Sequence, residues 1–347
     1  MKHFIAFDVA SEVCTACVVD LQGKIKQESM IVTKAAELKS FVRSIPGSKV
    51  VIFEEGTQAA WLYTLFEPLC SKVIVCNPAR NATNKGNKTD KIDARKLAEW
   101  GRVGLLSPVW HGGEDLQKLR ELLRTYECLT TQSTRIKNQI KAVFRSRGLR
   151  GGAKAYERTT RALAISKLSL KEQQSRVIAL GELLDVTKFY RELTKKRLIK
   201  AASQSKLYKP LKAIDGFGPL SCATFIAEVG DPFRFRTRKQ FWSYCGLSVV
   251  SFMTSEFCED SSGGIRRKNK PYRTRGLVKQ FNRHLKCVFK HAALISSCTK
   301  LEQPYKKILS NAKSKSMAQL TLARKLAAVA LMIAKTGDEY DVEKMFA

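Results

Sequence analysis

The hydrophobic period of the chain changes near residue 110, and that change sets the fold class. Before it, apolar runs are short. Lys2 to Val9 (KHFIAFDV) and Val13 to Asp20 (VCTACVVD) read as strands, and Leu21 to Lys24 makes a turn into Ile25–Thr33. This pattern predicts an antiparallel meander. Lys34 to Ile45 has helical spacing. Lys49 to Phe53 is a short buried strand that runs into Glu54-Glu55-Gly56-Thr57. Trp61 to Leu69 reads as a helix, and Lys72 to Cys76 as a strand ending at Asn77-Pro78. Strands followed by helices predict an α/β layer.

After residue 110 the apolar residues fall at steps of three and four. Leu116, Leu119, Leu122, Leu123, Tyr126, Leu129, Ile136, Ile140 and Val143 predict a long amphipathic helix over 115–146, broken at Arg147-Gly148 and Gly151-Gly152. A second long helix is expected over 170–205, marked by Leu180, Leu183, Leu184, Phe189, Leu193 and Leu198. The pair forms either an antiparallel coiled coil or an ordinary globular helix pair, and a spacer or oligomerisation role suits both. Residues 206–347 form a third part, which closes with a helix over 316–335 and an acidic tail. The expected domains are therefore 1–110, 111–205 and 206–347.

Charge narrows the function. The chain has 347 residues, with 62 Lys and Arg against 31 Asp and Glu, a formal net charge of +31. Such a surface suits a polyanion, and nucleic acid is the usual one. Apolar residues make up 44%, ample for a packed core. There is no run of about 20 apolar residues and no signal-peptide core before Asp8, so no membrane span and a cytoplasmic, nucleoid-associated location are expected. Ten Cys lie mostly in apolar runs, as reduced thiols would. Cys14 and Cys17 make a CxxC without a second pair at zinc spacing, so a buried strand is the preferred reading over structural zinc.

Asp8 ends the first strand, Glu54 and Glu55 end a later one, and Asp90 and Asp93 lie three apart in KTDKIDAR. Taken singly, Asp90 is a helix cap and Asp93 a solvated face residue. Brought together, the carboxylates repel unless a cation lies between them. Hard divalent cations take oxygen ligands and bind phosphate beside them.

Asp8 after a strand, Glu before Gly-Thr, and KTDKIDARKLAEW resemble the DEDD transposases of the insertion-sequence one-ten family, which includes bridge-RNA-guided recombinases and is related to pilin-gene DNA invertases. The resemblance runs from Asp8 to about Tyr340. It implies an α/β plus α architecture: an RNase-H-like, resolvase-type DEDD domain, a helical coiled-coil segment, and a mainly helical transposase domain. It implies Asp8, Glu55, Asp90 and Asp93 as Mg²⁺ ligands. Glu55 is chosen because Thr57 follows it by two residues as in the family, with Glu54 in reserve.

In the C-terminal part, LKAIDGFGPLSCATFIAEVGD resembles the family's helix-hairpin-helix, in which Gly216 and Gly218 let backbone N–H groups approach a phosphate. An ordinary helical corner is the bland alternative. A catalytic serine follows the family's Gly-Leu and attacks a DNA phosphodiester. Ser255 has nearly the expected spacing from Gly246-Leu247, whereas Ser262-Gly263 has the expected dipeptide but lies late. Ser255 is preferred. The stretch 256–276 is expected to be extended, with a hairpin turn near Ser262-Gly263-Gly264. Residues 265–300 carry no acid, and Arg266, Arg267, Lys268, Arg273, Arg275, Arg283 and Lys286 predict a polyanion groove. Asn282 to Lys286 resembles a family segment with Phe281 in place of its Gly.

The expectation is a transposase that excises and inserts a mobile element through Mg²⁺-dependent cleavage and a serine–DNA intermediate. Its partners are DNA, a guide noncoding RNA and further copies of itself as a dimer or tetramer. A site-specific invertase, a junction nuclease without a serine, and a non-catalytic nucleic-acid binder are the rivals.

Overall fold

In a computed structural model, β1 (Lys2–Asp8), β2 (Val13–Val19) and β3 (Ile25–Val32) form the expected antiparallel meander, with Phe4 opposite Val19 and Val13 opposite Val32. Asp20 shapes the β2–β3 turn by accepting hydrogen bonds from the N–H groups of Gln22 and Lys24. After α1 (Ala35–Ser44), β4 (Ser48–Glu54) pairs with β1 in parallel. Then follow α2 (Ala59–Phe66), β5 (Lys72–Cys76), the single turn α3 (Pro78–Asn81), α4 (Asp90–Val103) and a two-residue β6 (Pro108–Val109). The strands form one mixed sheet in the order β3-β2-β1-β4-β5-β6. The structure describes residues 1–81, 89–150, 152–252, 257–259, 262–267 and 273–343.

The pleat sorts the strand residues between two cores. Ile5, Phe7, Val51 and Phe53 pack with Leu38, Val42, Leu62 and Phe66 of α1 and α2. Phe4, Ala6, Val50 and Ile52 pack with Ala94, Leu97 and Ala98 of α4. Cys14 belongs to the first core and Cys17 to the second, so the CxxC thiols point to opposite faces of the sheet. They cannot share a zinc ion. Burial pushes the Cys17 thiol up to about 11.

The chain divides into two compact units, Met1–Gln117 and Lys118–Ala347. The long helix α5 (Glu114–Arg145) leads into the second. There α6 (Arg158–Ile165), which the sequence reading did not include, and the long α7 (Lys171–Ala202) follow; α5 and α7 lie close to the expected helical spans. Ile136, Ile140, Val143 and Phe144 of α5 share a core with Ala164 and Ile165 of α6 and Val177 and Leu184 of α7.

The rest of this unit is mostly helical: α8 (Tyr208–Ala213), α9 (Pro219–Val229), α10 (Arg238–Tyr244), α11 (Arg283–Ser296), α12 (Glu302–Ser310) and α13 (Lys315–Thr336). Between α10 and α11 lie four short strands. β7 (Val249–Phe252) pairs with β10 (Arg273–Leu277), and β8 (Phe257–Glu259) pairs with β9 (Ile265–Arg267). The second pair is the hairpin expected from sequence, turning through Ser262 and Gly263. α13 is long and apolar enough to cross a membrane by length and composition alone. Its Leu322, Leu326, Ala327 and Ala330 are fully buried in the helical core with Phe225 and Phe289, so its apolar character is accounted for by packing.

Candidate active site

α4 is held against the sheet by fit. Thr89 caps its first turn, accepting from the N–H of Ile92 at 3.3 Å. Gly101 lies so close to the sheet that a Cβ would come 2.2 Å from Ile52 Cδ1. Arg95 forms a two-pronged pair with Glu28 of β3, its Nη2 2.7 Å from Oε2. Arg102 pairs with Glu99 and donates to the carbonyl of Leu21. Helix and meander are thereby locked in register, and the first turn of α4 is fixed beside the end of β1.

Three of the expected carboxylates lie near enough there for Asp90 and Asp93 to act on Asp8 through their charges. Asp8 is half-buried at the end of β1, and its carboxyl is pushed above the usual carboxylate range, first by burial and then by the charges of Asp90 and Asp93. Asp93 is half-buried, and Lys96 stands 3.9 Å from it at the surface. Among the described residues, no three His, Cys, Asp or Glu side chains converge closely enough to form a complete metal-binding group. The donor chemistry nevertheless suits a hard cation, because Asp8 keeps a repulsion that such a charge would relieve.

The two candidates for the fourth acid lie on opposite faces of the sheet edge. Phe7 pairs with Phe53, so Asp8 stands level with Glu54, and both continue the face that carries Ala6 and Ile52 beneath α4. Glu55 falls on the opposite face, where its carboxylate is 2.7 Å from His111 Nε2. The His111 ring stacks on Tyr63 of α2, with centroids 5.3 Å apart. The Glu-x-Thr spacing that selected Glu55 carries no information about strand alternation. His111 and Arg95 escaped the sequence reading; only the partner each would find in the folded chain marks them.

In the second unit, Gly216 has φ +79°, and a Cβ there would come 2.5 Å from the carbonyl oxygen of Ala292. Its requirement is thus already met by packing against α11. Gly218 is open on the side a Cβ would occupy and caps α9, with Pro219 as the first helical residue. Arg266, Arg275 and Arg283 are exposed. Lys286 is half-buried with its ammonium 3.9 Å from the centre of the Phe281 ring, and burial and Lys290 hold its pKa down. Phe281 itself lies against Gly246, where a Cβ would come 2.5 Å from its ring. Arg267 and Arg273 occupy β9 and β10. Ser262 is exposed in the β8–β9 turn, whereas Ser255 and Lys268 lie outside the described residues.

Residues 5–147 match the family model of DEDD transposases of the IS110 type, described as a transposase. Residues 208–307 match the "Transposase IS116/IS110/IS902 family". The chain belongs to the IS110 family of DNA transposases. Among its relatives, the "Transposase for insertion sequence element IS1111A" of Coxiella burnetii is 25% identical, over 70% of this chain and 67% of the relative. The "Putative transposase y4qE" of Sinorhizobium fredii is 25% identical, over 74% of this chain and 65% of the relative. A "Probable family 20 transposase" of Pseudomonas aeruginosa is 24% identical, over 70% and 73%. The chain thus matches about two thirds of the length of the first two. The carboxylate edge falls inside the first matched segment, and the glycine corner and basic stretch inside the second.

Proposed function

We propose that this IS110-family transposase moves its element by cutting DNA at the carboxylate edge of an RNase-H-like sheet. The observation that supports this reading is the repulsion that Asp90 and Asp93 exert on the half-buried Asp8, across a helix end that the α4 contacts hold in place. Asp8, Glu54, Asp90 and Asp93 are the side chains that would hold Mg²⁺, Glu54 being preferred to Glu55 because it shares the Asp8 face. Bound there, the cation would neutralise charge on the scissile phosphate. Asp8 and Asp93 would hold that cation from the half-buried side of the edge.

A serine supplies the nucleophile. Its Oγ forms a bond to phosphorus and gives up its proton, and the bond from phosphorus to one bridging oxygen breaks as that oxygen takes up a proton. Ser255 remains the first choice by its spacing from Gly246-Leu247, and Ser262 the second. The exposed Arg266, Arg275 and Arg283 support a DNA path along this part of the chain, and a guide RNA sharing that path would select donor and target.

Self-association is part of the proposal. Along α7, Ala179, Leu183, Val186, Tyr190 and Leu193 recur at alternating steps of four and three, the spacing of a coiled-coil seam. Leu183, Val186 and Tyr190 are each more than half exposed. A second copy would cover them.

The test is incubation with element-junction DNA, the flanking transcript and Mg²⁺, followed by peptide mapping of any protein–DNA adduct. An adduct on Ser255 or Ser262 is expected. Mg²⁺-dependent nicking without an adduct would replace the serine step by attack of water.

A further inference from the structure

The far end of the helical hairpin holds a cavity of about 580 Å³ that the proposed chemistry does not use. It is lined by Lys141 and Arg145 from the last turns of α5, by Gly148 and Arg150 from the turn that follows, and by Gly152 and Tyr156 from a short 3-10 segment. Leu123 of the same helix belongs to the C-terminal helical core. At 1.5 Å per residue, Lys141 lies roughly 27 Å further along the axis.

The walls are fixed by the backbone. The end of α5 satisfies its own carbonyls: Ser146 donates to Ala142, Gly148 to Arg145 and Leu149 to Phe144. Gly148 takes a positive φ of 67° that lets the chain reverse. Gly152 packs against the Phe144 ring, where a Cβ would come 3.1 Å from the ring edge. Tyr156 forms a side wall and is held from below, its hydroxyl donating to the carbonyl of Lys137 at 3.1 Å.

The charges have no structural duty. Among the described residues, Lys141, Arg145 and Arg150 take part in no ion pair, all three are exposed, and no acid lines the cavity. Cations beside a helix C-terminus can serve the helix dipole. Here the terminal turn is closed by its own N–H groups, and Arg150 lies beyond the helix. A concave site with three unpaired cations, a fixed aromatic wall and room for a nucleotide fits the backbone of a nucleic-acid strand.

We infer that this cavity is a phosphate-backbone site for RNA or DNA at the hairpin tip, built from residues that belong neither to the carboxylate edge nor to the basic stretch of residues 265–300. It rests on the reading of the chain as a nucleic-acid enzyme.

The test is fluorescence anisotropy with a labelled single-stranded RNA and, separately, a labelled DNA duplex, across a salt series. The full chain would be compared with the triple variant Lys141→Ala, Arg145→Ala, Arg150→Ala. A control of equal charge loss is Lys195→Ala, Lys196→Ala, Lys200→Ala, at the other end of α7. The site variant is expected to lose at least about tenfold in affinity, with a salt slope shallower by about 3, one unit for each phosphate contact. The control should keep the slope of the wild type. A loss confined to the RNA probe would identify the ligand as RNA, and one confined to the duplex as DNA; either supports the site. Unchanged affinity and slope, or an equal loss in the control, would overturn it while leaving the proposed function intact. Failure of the wild-type chain to bind either probe would overturn both.

Discussion

At the scale of single residues, function and stability pull in opposite directions at Asp8. Its charge is disfavoured by burial and by two neighbouring carboxylates. Replacing Asp8 with Asn should therefore abolish strand cleavage and yet raise the metal-free melting temperature, by about 2–4 °C for each kcal/mol of repulsion removed. Mg²⁺ should raise the melting temperature of the wild type and not of the variant. Calorimetry with and without Mg²⁺ checks both. Gly216 is the opposite case. Gly216→Ala must adopt a positive φ and meet the Ala292 carbonyl, so it should cost at least about 2 kcal/mol in a urea titration of stability. Of the proposed acidic site, the nearness of Asp90 to Asp93 was legible in the sequence, since KTDKIDAR places both in one helix turn. Which of Glu54 and Glu55 shares the face of Asp8 was not, because it depends on sheet register, which no local spacing states.

At the scale of elements, the meander, α5 and α7 were all legible, because each follows a single hydrophobic period over a long enough run. The cross-element ties were not. Arg95 looked like any helix-surface arginine until Glu28 of β3 was found beside it. That pair is surface-exposed, so Arg95→Ala should lower stability by less than about 1 kcal/mol. It should lower the cleavage rate more than substrate affinity, because it lets the first turn of α4 drift.

His284 of α11 behaves as a tie of the same kind in the second unit. Its pKa is raised above 6.5, first by a hydrogen bond to Glu127 of α5, partly offset by burial and reinforced by the charges of Glu127 and Glu228. The folded pKa exceeds the unfolded one, so the stabilisation is complete below about pH 6.5 and is lost as the pH rises through the raised value. Melting curves across that window should show the loss in the wild type and a flatter profile in Glu127→Gln.

At the scale of the whole molecule, the two matched segments of one transposase family do not follow the two compact units: residues 5–147 run past the boundary at Gln117, and residues 208–307 lie within the second unit. The sequence division into three parts separated the helical segment from the C-terminal part, and both lie in the second unit. Charge alone had little power to locate a surface, because almost all of the +31 falls within residues 118–347 and is scattered along that unit, and only burial and pairing show which cations are occupied. The exposed α7 seam belongs to this scale. Leu183→Asp with Val186→Asp should shift the protein to a monomer in light scattering while leaving its circular dichroism unchanged.

The central claim is that the carboxylate edge cuts DNA. The most direct measurement is Mg²⁺-dependent cleavage of element-junction DNA, with the flanking transcript present, by the wild type and by Asp90→Asn. Melting temperature and DNA affinity would be recorded for both proteins. Cleavage is expected from the wild type and none from the variant, with folding and DNA binding retained. Cleavage by Asp90→Asn at the wild-type rate would contradict it.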